Sequence, residues 1–75
     1  MTYNGHRSKA AWNVALWINN DEGLYRLAVD CLRQTRDRDT AAAALLAALH
    51  ERGITETPDG ARYTKTTVRA ALFGL

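Results

Sequence analysis

The sequence predicts an all-α fold: a small domain of four helices, with a short hairpin or turn at residues 54–63 before the last helix. Apolar residues recur at helical spacing in two successive runs, an alanine-rich run follows, and turn residues separate the runs. The 75 residues make one domain, and 47% hydrophobic with 24% charged residues is a globular balance. A chain of this length buries only about 60% of its unfolded surface, so we expect marginal stability.

Helix boundaries follow from apolar periodicity and from residues that commonly begin or end helices. The sequence predicts an N-terminal arm at 1–7 and helices at 8–19, 21–35, 40–52 and 64–73. The stretch from Ser8 to Leu32 contains both tryptophans and the only cysteine, so we expect it to supply most of the core. The alanine-rich run Ala41–Leu49 has high helix propensity, and its small side chains make it a candidate homodimer seam.

The first predicted helix is apolar over more than half of its circumference. Four residues at i, i+3, i+4 and i+7 share one face: Ala11, Val14, Ala15 and Ile18. Trp12 and Trp17 flank this face on opposite sides. The pattern indicates a central core helix, and the alternative is a second apolar surface that binds a partner.

Residues that favour the N-cap position precede each predicted helix: Ser8, Asn19 or Asn20, Asp39 or Thr40, and Thr64. At the end of the third helix, Gly53 suits the left-handed C-cap position and Ile54 supplies the accompanying hydrophobic contact. The next four residues, Thr57-Pro58-Asp59-Gly60, predict a turn in which proline presets the second position.

Several classes of site are not indicated. The lone Cys31 lies on an apolar stripe and has no disulfide partner, and two histidines do not make a ligand set, so we expect no cofactor or metal. The chain has no glycine-rich phosphate loop, Cys/His metal spacing or nucleophile elbow, and we expect no enzymatic activity. No leader is recognised, and the longest apolar run falls far short of the roughly 20 residues that span a bilayer. We therefore expect a cytoplasmic protein that makes no membrane contact.

One resemblance lies in the C-terminal half. It rests on Leu45-Leu46, Arg52-Gly53-Ile54, Thr57-Pro58, Gly60, Tyr63-Thr64 and Thr67-Val68-Arg69. This stretch resembles the helix-turn-helix region in the recombinase domain of large serine recombinases. The chain departs from that family in having Asp59 where a basic residue is usual and Tyr63 for the usual tryptophan, and it lacks the catalytic serine domain. The resemblance implies a local unit next to DNA and no recombination activity.

If this unit contacts DNA, its cations would meet phosphates. Arg62, Lys65 and Arg69 are the candidate phosphate contacts, and Thr66 or Thr67 would add hydroxyl contacts. Three cations are few, Asp59 beside them opposes binding, and the net charge of +2 does not by itself attract the chain to DNA.

A second resemblance covers the N-terminal half. Tyr3-Asn4-Gly5 and the ungapped run from Trp12 to Tyr25, together with the Thr-Pro-Asp-Gly turn, resemble a family of small uncharacterised phage and prophage proteins. The resemblance implies an accessory protein of a phage or mobile element. Proteins of that size and setting commonly bind a host enzyme or defence complex stoichiometrically, as anti-CRISPR proteins do, or regulate transcription.

Two functions therefore follow from the sequence. The first is an anti-CRISPR-like inhibitor that binds a host protein or CRISPR effector complex through exposed aromatic anchors ringed by arginines. The alternative is a dimeric DNA-binding regulator of helix-turn-helix type that uses the last helix. The candidate binding residues, for protein or nucleic acid, are Arg62, Lys65, Thr66, Arg69, Tyr63, Trp12 and Tyr25, with Trp17 as the alternative to Trp12.

Overall fold

The computed structural model describes residues 8–73 and Leu75, and in this part of the chain four α-helices form an all-α domain. They are α1 (Lys9–Asn20), α2 (Glu22–Gln34), α3 (Arg38–Glu51) and α4 (Lys65–Leu72). The predicted all-α fold, with a short hairpin before the last helix, is confirmed. The arm predicted at residues 1–7 lies outside the described residues.

The helices pack in a closed ring. α1 lies against α2 and α4, and α3 lies against the same two helices. The face predicted for α1 is buried as expected, with Val14 and Ile18 fully buried and Ala11 and Ala15 nearly so. Among the described residues, no helix has the length and apolarity that crossing a bilayer would require.

The core draws more on the second half of the chain than the sequence predicts. The expectation that Ser8–Leu32 supplies most of the core is wrong. Of the six largest fully buried side chains, four belong to α3 and α4: Leu45, Leu49, Val68 and Leu72. The reason is the placement of α2, whose leucines are only partly buried and cover the core from its edge. α3 and α4 instead direct large side chains to the centre.

The α1–α2 junction is a single residue, Asp21. Its backbone N–H donates to the Trp17 carbonyl oxygen at 3.0 Å and so ends α1. Its carboxylate accepts from the Leu24 N–H at 3.0 Å and so begins α2. The prediction that Asn19 or Asn20 caps α2 is therefore wrong. All three residues favour the N-cap position, and only the packing of the two helices selects Asp21.

The N-terminus of α3 also lies earlier than predicted. Asp37 is the N-cap: its carboxylate accepts from the N–H groups of Asp39 and Thr40, both at 3.2 Å, and from the Thr40 hydroxyl at 2.9 Å. These bonds, the Thr40 hydroxyl first, lower the pKa of the Asp37 carboxyl. The prediction that Asp39 or Thr40 is the cap is wrong because Asp37, just before them, satisfies the orphan N–H groups of the first turn.

The end of α3 and the start of α4 follow the sequence prediction. Gly53 has φ 73°, and its N–H donates to the His50 carbonyl oxygen at 3.0 Å. The Ile54 N–H donates to the Leu49 carbonyl oxygen at 2.9 Å, which completes a Schellman motif. Thr64 begins α4 through a capping box with Thr67, in which each side chain accepts from the other residue's N–H.

Candidate functional site

A groove of about 740 Å³ opens where the α1–α2 junction meets the hairpin of residues 54–63. It is lined by the last turn of α1, the junction, the first turn of α2, the end of α3 and the hairpin. We call this the groove, and its lining residues are Trp17, Asp21, Gly23, Leu24, Arg52, Ile54, Glu56, Thr57, Pro58 and Tyr63.

The hairpin that forms one wall is held by its own backbone hydrogen bonds. In the predicted turn, the Gly60 N–H donates to the Thr57 carbonyl oxygen at 2.9 Å, and Gly60 has φ 92°. The Thr57 N–H donates to the Ala61 carbonyl oxygen at 2.7 Å, and the Thr57 hydroxyl accepts from the Ala61 N–H at 3.0 Å. A single antiparallel bridge joins Glu56 and Arg62. The turn therefore sets the shape of this wall.

Four side chains fasten this turn to α1, and we call them the α1–turn link: Asn13, Trp17, Thr57 and Asp59. One carboxylate oxygen of Asp59 accepts from the Asn13 amide at 2.8 Å and from the Trp17 indole N–H at 2.9 Å. The Thr57 hydroxyl donates to the Asn13 amide oxygen at 2.6 Å. Asn13 and Thr57 are only 6% and 2% exposed, so these bonds satisfy polar groups that would otherwise be buried without partners.

The link favours a charged Asp59. The hydrogen bonds from Asn13 and then Trp17 lower the pKa of the Asp59 carboxyl. Desolvation opposes this lowering, and the positive charge of Lys9 adds the smallest contribution, which also lowers the pKa. Asp59 was expected to oppose DNA binding by the nearby cations. The structure instead turns its carboxylate towards α1, where it bonds to two uncharged donors.

The groove combines apolar walls with charged groups. Two carboxylates, Asp21 and Glu56, and one guanidinium, Arg52, line it. Within the described residues, none of these three makes an ion pair. Burial, and secondarily the negative charge of Asp21, raise the pKa of the Tyr63 phenol. One oxygen of Asp21 already accepts from the Leu24 N–H. The groups open to a bound molecule are therefore the other Asp21 oxygen, Glu56 and Arg52.

The four predicted binding residues near the C-terminus all lie at the surface, and two of them pair with a carboxylate. We call Arg62, Lys65, Thr66 and Arg69 the α4 face, and all four are exposed. The Lys65 ammonium lies 2.8 Å from one oxygen of Asp39, and the Arg69 Nε lies 3.6 Å from the other. The structure thus brings Lys65 and Arg69 together around a carboxylate that offsets part of their charge.

The predicted aromatic anchors have three different environments. Tyr63 is 4% exposed and belongs to the core, so the expectation that it is an exposed anchor is wrong. The hairpin turns its ring inward, where it also lines the groove. Tyr25 is exposed on α2, and Trp12 is half-buried outside the groove lining. Trp17, the alternative to Trp12, is the tryptophan that lines the groove.

Comparison with known families adds one relationship. A family model described as "Family of unknown function (DUF7249)" matches residues 1–72. The chain belongs to the DUF7249 family. No curated protein and no solved structure matches it with statistical significance. The match spans α1 to α4 and therefore includes the groove and the α4 face.

Some features of this DUF7249 chain were not identified from its sequence. Asn13 is a polar residue on an otherwise apolar helix face, and a buried amide requires a partner, which was the available signal. The partner residues, Thr57 and Asp59, lie 44 and 46 positions away, and no local pattern connects them to α1. Leu24 and Glu56 become groove residues only because the hairpin folds against the junction.

Three other features of this DUF7249 chain concern its cysteine, its potential metal ligands and its alanine-rich helix. Cys31 is buried, and burial together with the charge of Asp30 raises the pKa of its thiol. Among the described residues, no group of three or more His, Cys, Asp or Glu side chains is placed to hold a metal ion. In the alanine-rich stretch, Ala43, Ala44 and Ala47 are exposed, and the homodimer seam stays a prediction.

Proposed function

We propose that this protein acts by stoichiometric protein binding through the groove, and that it thereby inhibits a host process. The observation that carries the proposal is the groove itself, which combines apolar walls, two aromatic rings and charges without ion partners among the described residues. Its volume of about 740 Å³ lies in the range of sites that take up a ligand or a short segment of a partner.

The rigidity of the groove supports binding. The α1–turn link fixes the hairpin to α1 through three side-chain hydrogen bonds, and the indole of Trp17 is held by one of them. A wall that is ordered before binding loses little conformational entropy when a partner docks. Tryptophan, which Trp17 supplies in the groove, is among the residue types that contribute most to protein association.

The finer part of the proposal concerns the partner. The resemblance of residues 3–25 and the Thr-Pro-Asp-Gly turn to phage proteins supports an accessory role in a phage or mobile element. An inhibitor of this kind, acting as anti-CRISPR proteins do, would bind a CRISPR effector complex or another host enzyme. The aromatic anchor in this proposal is Trp17, which lines the groove and is partly exposed.

The test is capture of a partner with two matched variants. Pro58→Trp adds an indole at an exposed groove position, and Thr66→Trp adds the same group at an exposed position on the α4 face. Tagged wild type and both variants are incubated with nuclease-treated host lysate, and bound proteins are measured by mass spectrometry. We expect a partner that wild type and Thr66→Trp capture and Pro58→Trp loses, and whose purified activity falls to a fixed stoichiometric end point on titration.

The opposite pattern would sink the proposal. A partner that Pro58→Trp still captures and Thr66→Trp loses would place the interface on the α4 face. Circular dichroism on both variants checks that each retains its helical content, so that loss of capture reports on the surface.

A DNA-binding regulator is the second candidate, and the exposed cations of the α4 face favour it. Lys65 is the first residue of α4 and Arg69 lies one helical turn later, in its last turn, and Arg62 and Thr66 are exposed nearby. Asp39 offsets part of this charge. In this case Lys65→Ala and Arg69→Ala should each weaken DNA binding and reduce its salt dependence by about one unit of slope.

A further inference from the structure

We infer that the groove recognises a single arginine or lysine side chain that its protein partner presents between aliphatic residues. This inference rests on the proposed function, because it specifies the chemistry of the partner that would occupy the groove. It starts from the net charge of the groove lining, which is opposite in sign to the net charge of the whole chain.

The charge balance favours one cation. The chain carries a formal net charge of +2, whereas the groove is lined by two carboxylates and one guanidinium. Asp21 and Glu56 make no ion pair among the described residues, and the neighbouring Glu22 is already paired with Arg26 outside the lining. Arg52 in the same lining would repel a second cation. A segment with one basic side chain therefore fits better than a run of basic residues.

The aromatic and apolar residues fit the same partner. Trp17 and Tyr63 both line the groove, but Tyr63 is only 4% exposed, so the ring face on which a cation can lie is that of Trp17. Hydrogen bonding of the Trp17 indole N–H to Asp59 fixes the orientation of the larger ring. Leu24, Ile54 and Pro58 supply apolar contacts for aliphatic neighbours of the cation.

The experiment uses two synthetic pentapeptides that differ in one charge. The first is acetyl-Gly-Leu-Arg-Ile-Gly-amide, and in the second citrulline, a neutral isostere, replaces the arginine. Binding to the full-length protein is followed by NMR through the indole N–H signals. Trp17 lines the groove and Trp12 does not, so the Trp12 signal serves as an internal reference.

Matched double variants test which carboxylates matter. Asp21→Asn with Glu56→Gln removes both groove charges, and asparagine at position 21 preserves an N-cap for α2. Asp30→Asn with Glu51→Gln removes two exposed carboxylates that do not line the groove. Each ion pair at an exposed site changes affinity by roughly twofold to fivefold, so the two groove carboxylates together should give the arginine peptide an advantage of about tenfold.

The supporting result is an arginine peptide that binds about tenfold more tightly than the citrulline peptide and shifts the Trp17 signal. This preference should persist in the control double variant and disappear in the groove double variant. Equal affinities of the two peptides, a preference that survives in the groove double variant, or no binding of either peptide would overturn the inference. If capture of a partner remains sensitive to Pro58→Trp in any of these cases, the proposed function stands without the preference for a cation.

Discussion

The groove and the α4 face both carry charged side chains at the surface, but those charges have different neighbours. On the α4 face, Lys65 and Arg69 are about half exposed and share the carboxylate of Asp39. In the groove, Asp21, Glu56 and Arg52 have no such ion partner among the described residues. Similar exposure therefore does not mean similar availability for binding. The difference arises from tertiary contacts that bring Asp39 next to α4.

The two surfaces also differ in how they are built. The N-terminus of α4 is organised by a capping box between residues three positions apart. The groove instead depends on the α1–turn link, whose hydrogen bonds join residues more than 40 positions apart. The shape of the groove should therefore be sensitive to changes at a distance along the chain, whereas on the α4 face a distant change, at Asp39, should alter the charge pairing and not the shape.

The largest expected effect is on the groove side, at Asn13. Asn13→Ala removes the hydrogen bonds to Thr57 and Asp59 and leaves the buried Thr57 hydroxyl without its acceptor. We expect the free energy of unfolding to fall by about 2 kcal/mol, the cost of leaving buried polar groups unsatisfied. Urea denaturation measures this change.

The matched control is Asn19→Ala, which removes a similar amide from an exposed position on α1. It should change the free energy of unfolding by no more than about 0.5 kcal/mol, as is usual for surface substitutions. Equal destabilisation by the two variants would show that the α1–turn link does not stabilise the fold.

A smaller effect is expected on the α4 side, at Asp39. Asp39→Asn removes the ion pairs with Lys65 and Arg69, both of which are about half exposed. Exposed pairs contribute little, so the free energy of unfolding should fall by less than about 1 kcal/mol, and by less still in high salt. Urea denaturation at two salt concentrations checks this. A loss of unfolding free energy as large as that of Asn13→Ala would show that the ion pairs of the α4 face stabilise the fold as much as the α1–turn link does.

The smallest expected effect is a pH dependence that the α1–turn link should impose. Because folding lowers the pKa of Asp59, its stabilising contribution is fully present above the unfolded pKa of about 3.9 and is lost as the pH falls through the lower folded value. Asp59→Asn cannot titrate, so its melting temperature should fall less than that of the wild type between pH 5 and pH 3. Asp37 titrates with the same sign in both proteins and cancels in the comparison. Parallel falls would exclude Asp59 as a source of acid sensitivity.

What the sequence could predict was set by the range of each interaction. The buried face of α1, the Schellman motif at Gly53 and the cap at Thr64 depend on residues within about one helical turn, and these predictions are confirmed. The caps of α2 and α3 were misplaced by one or more residues because several residues that favour capping are adjacent there. Local pattern cannot choose among them, whereas packing does.

The site was harder to predict than the fold because it forms only in three dimensions. Tyr63 is predicted to be an exposed anchor because of its residue type, but the hairpin turns it into the core. The groove requires two distant stretches of the chain, residues 17–24 and 52–63, to meet in three dimensions. The sequence indicates correctly that Lys65 and Arg69 are surface cations. It could not show that Asp39, 26 positions before Lys65, lies beside them.

The position of α4 in the chain has a consequence for the protein's lifetime in a cell. Val68 and Leu72 are fully buried, and α4 packs against both α1 and α3, so α4, which is synthesised after the other three helices described, completes a core to which α1 contributes first. A nascent chain in which α4 has not yet been synthesised exposes the apolar side of α1 to chaperones and proteases. Removal of α4 by proteolysis should likewise turn a folded protein into a degradable one. The abundance of this protein should therefore depend more strongly on changes in α4 than on changes of equal size in α2.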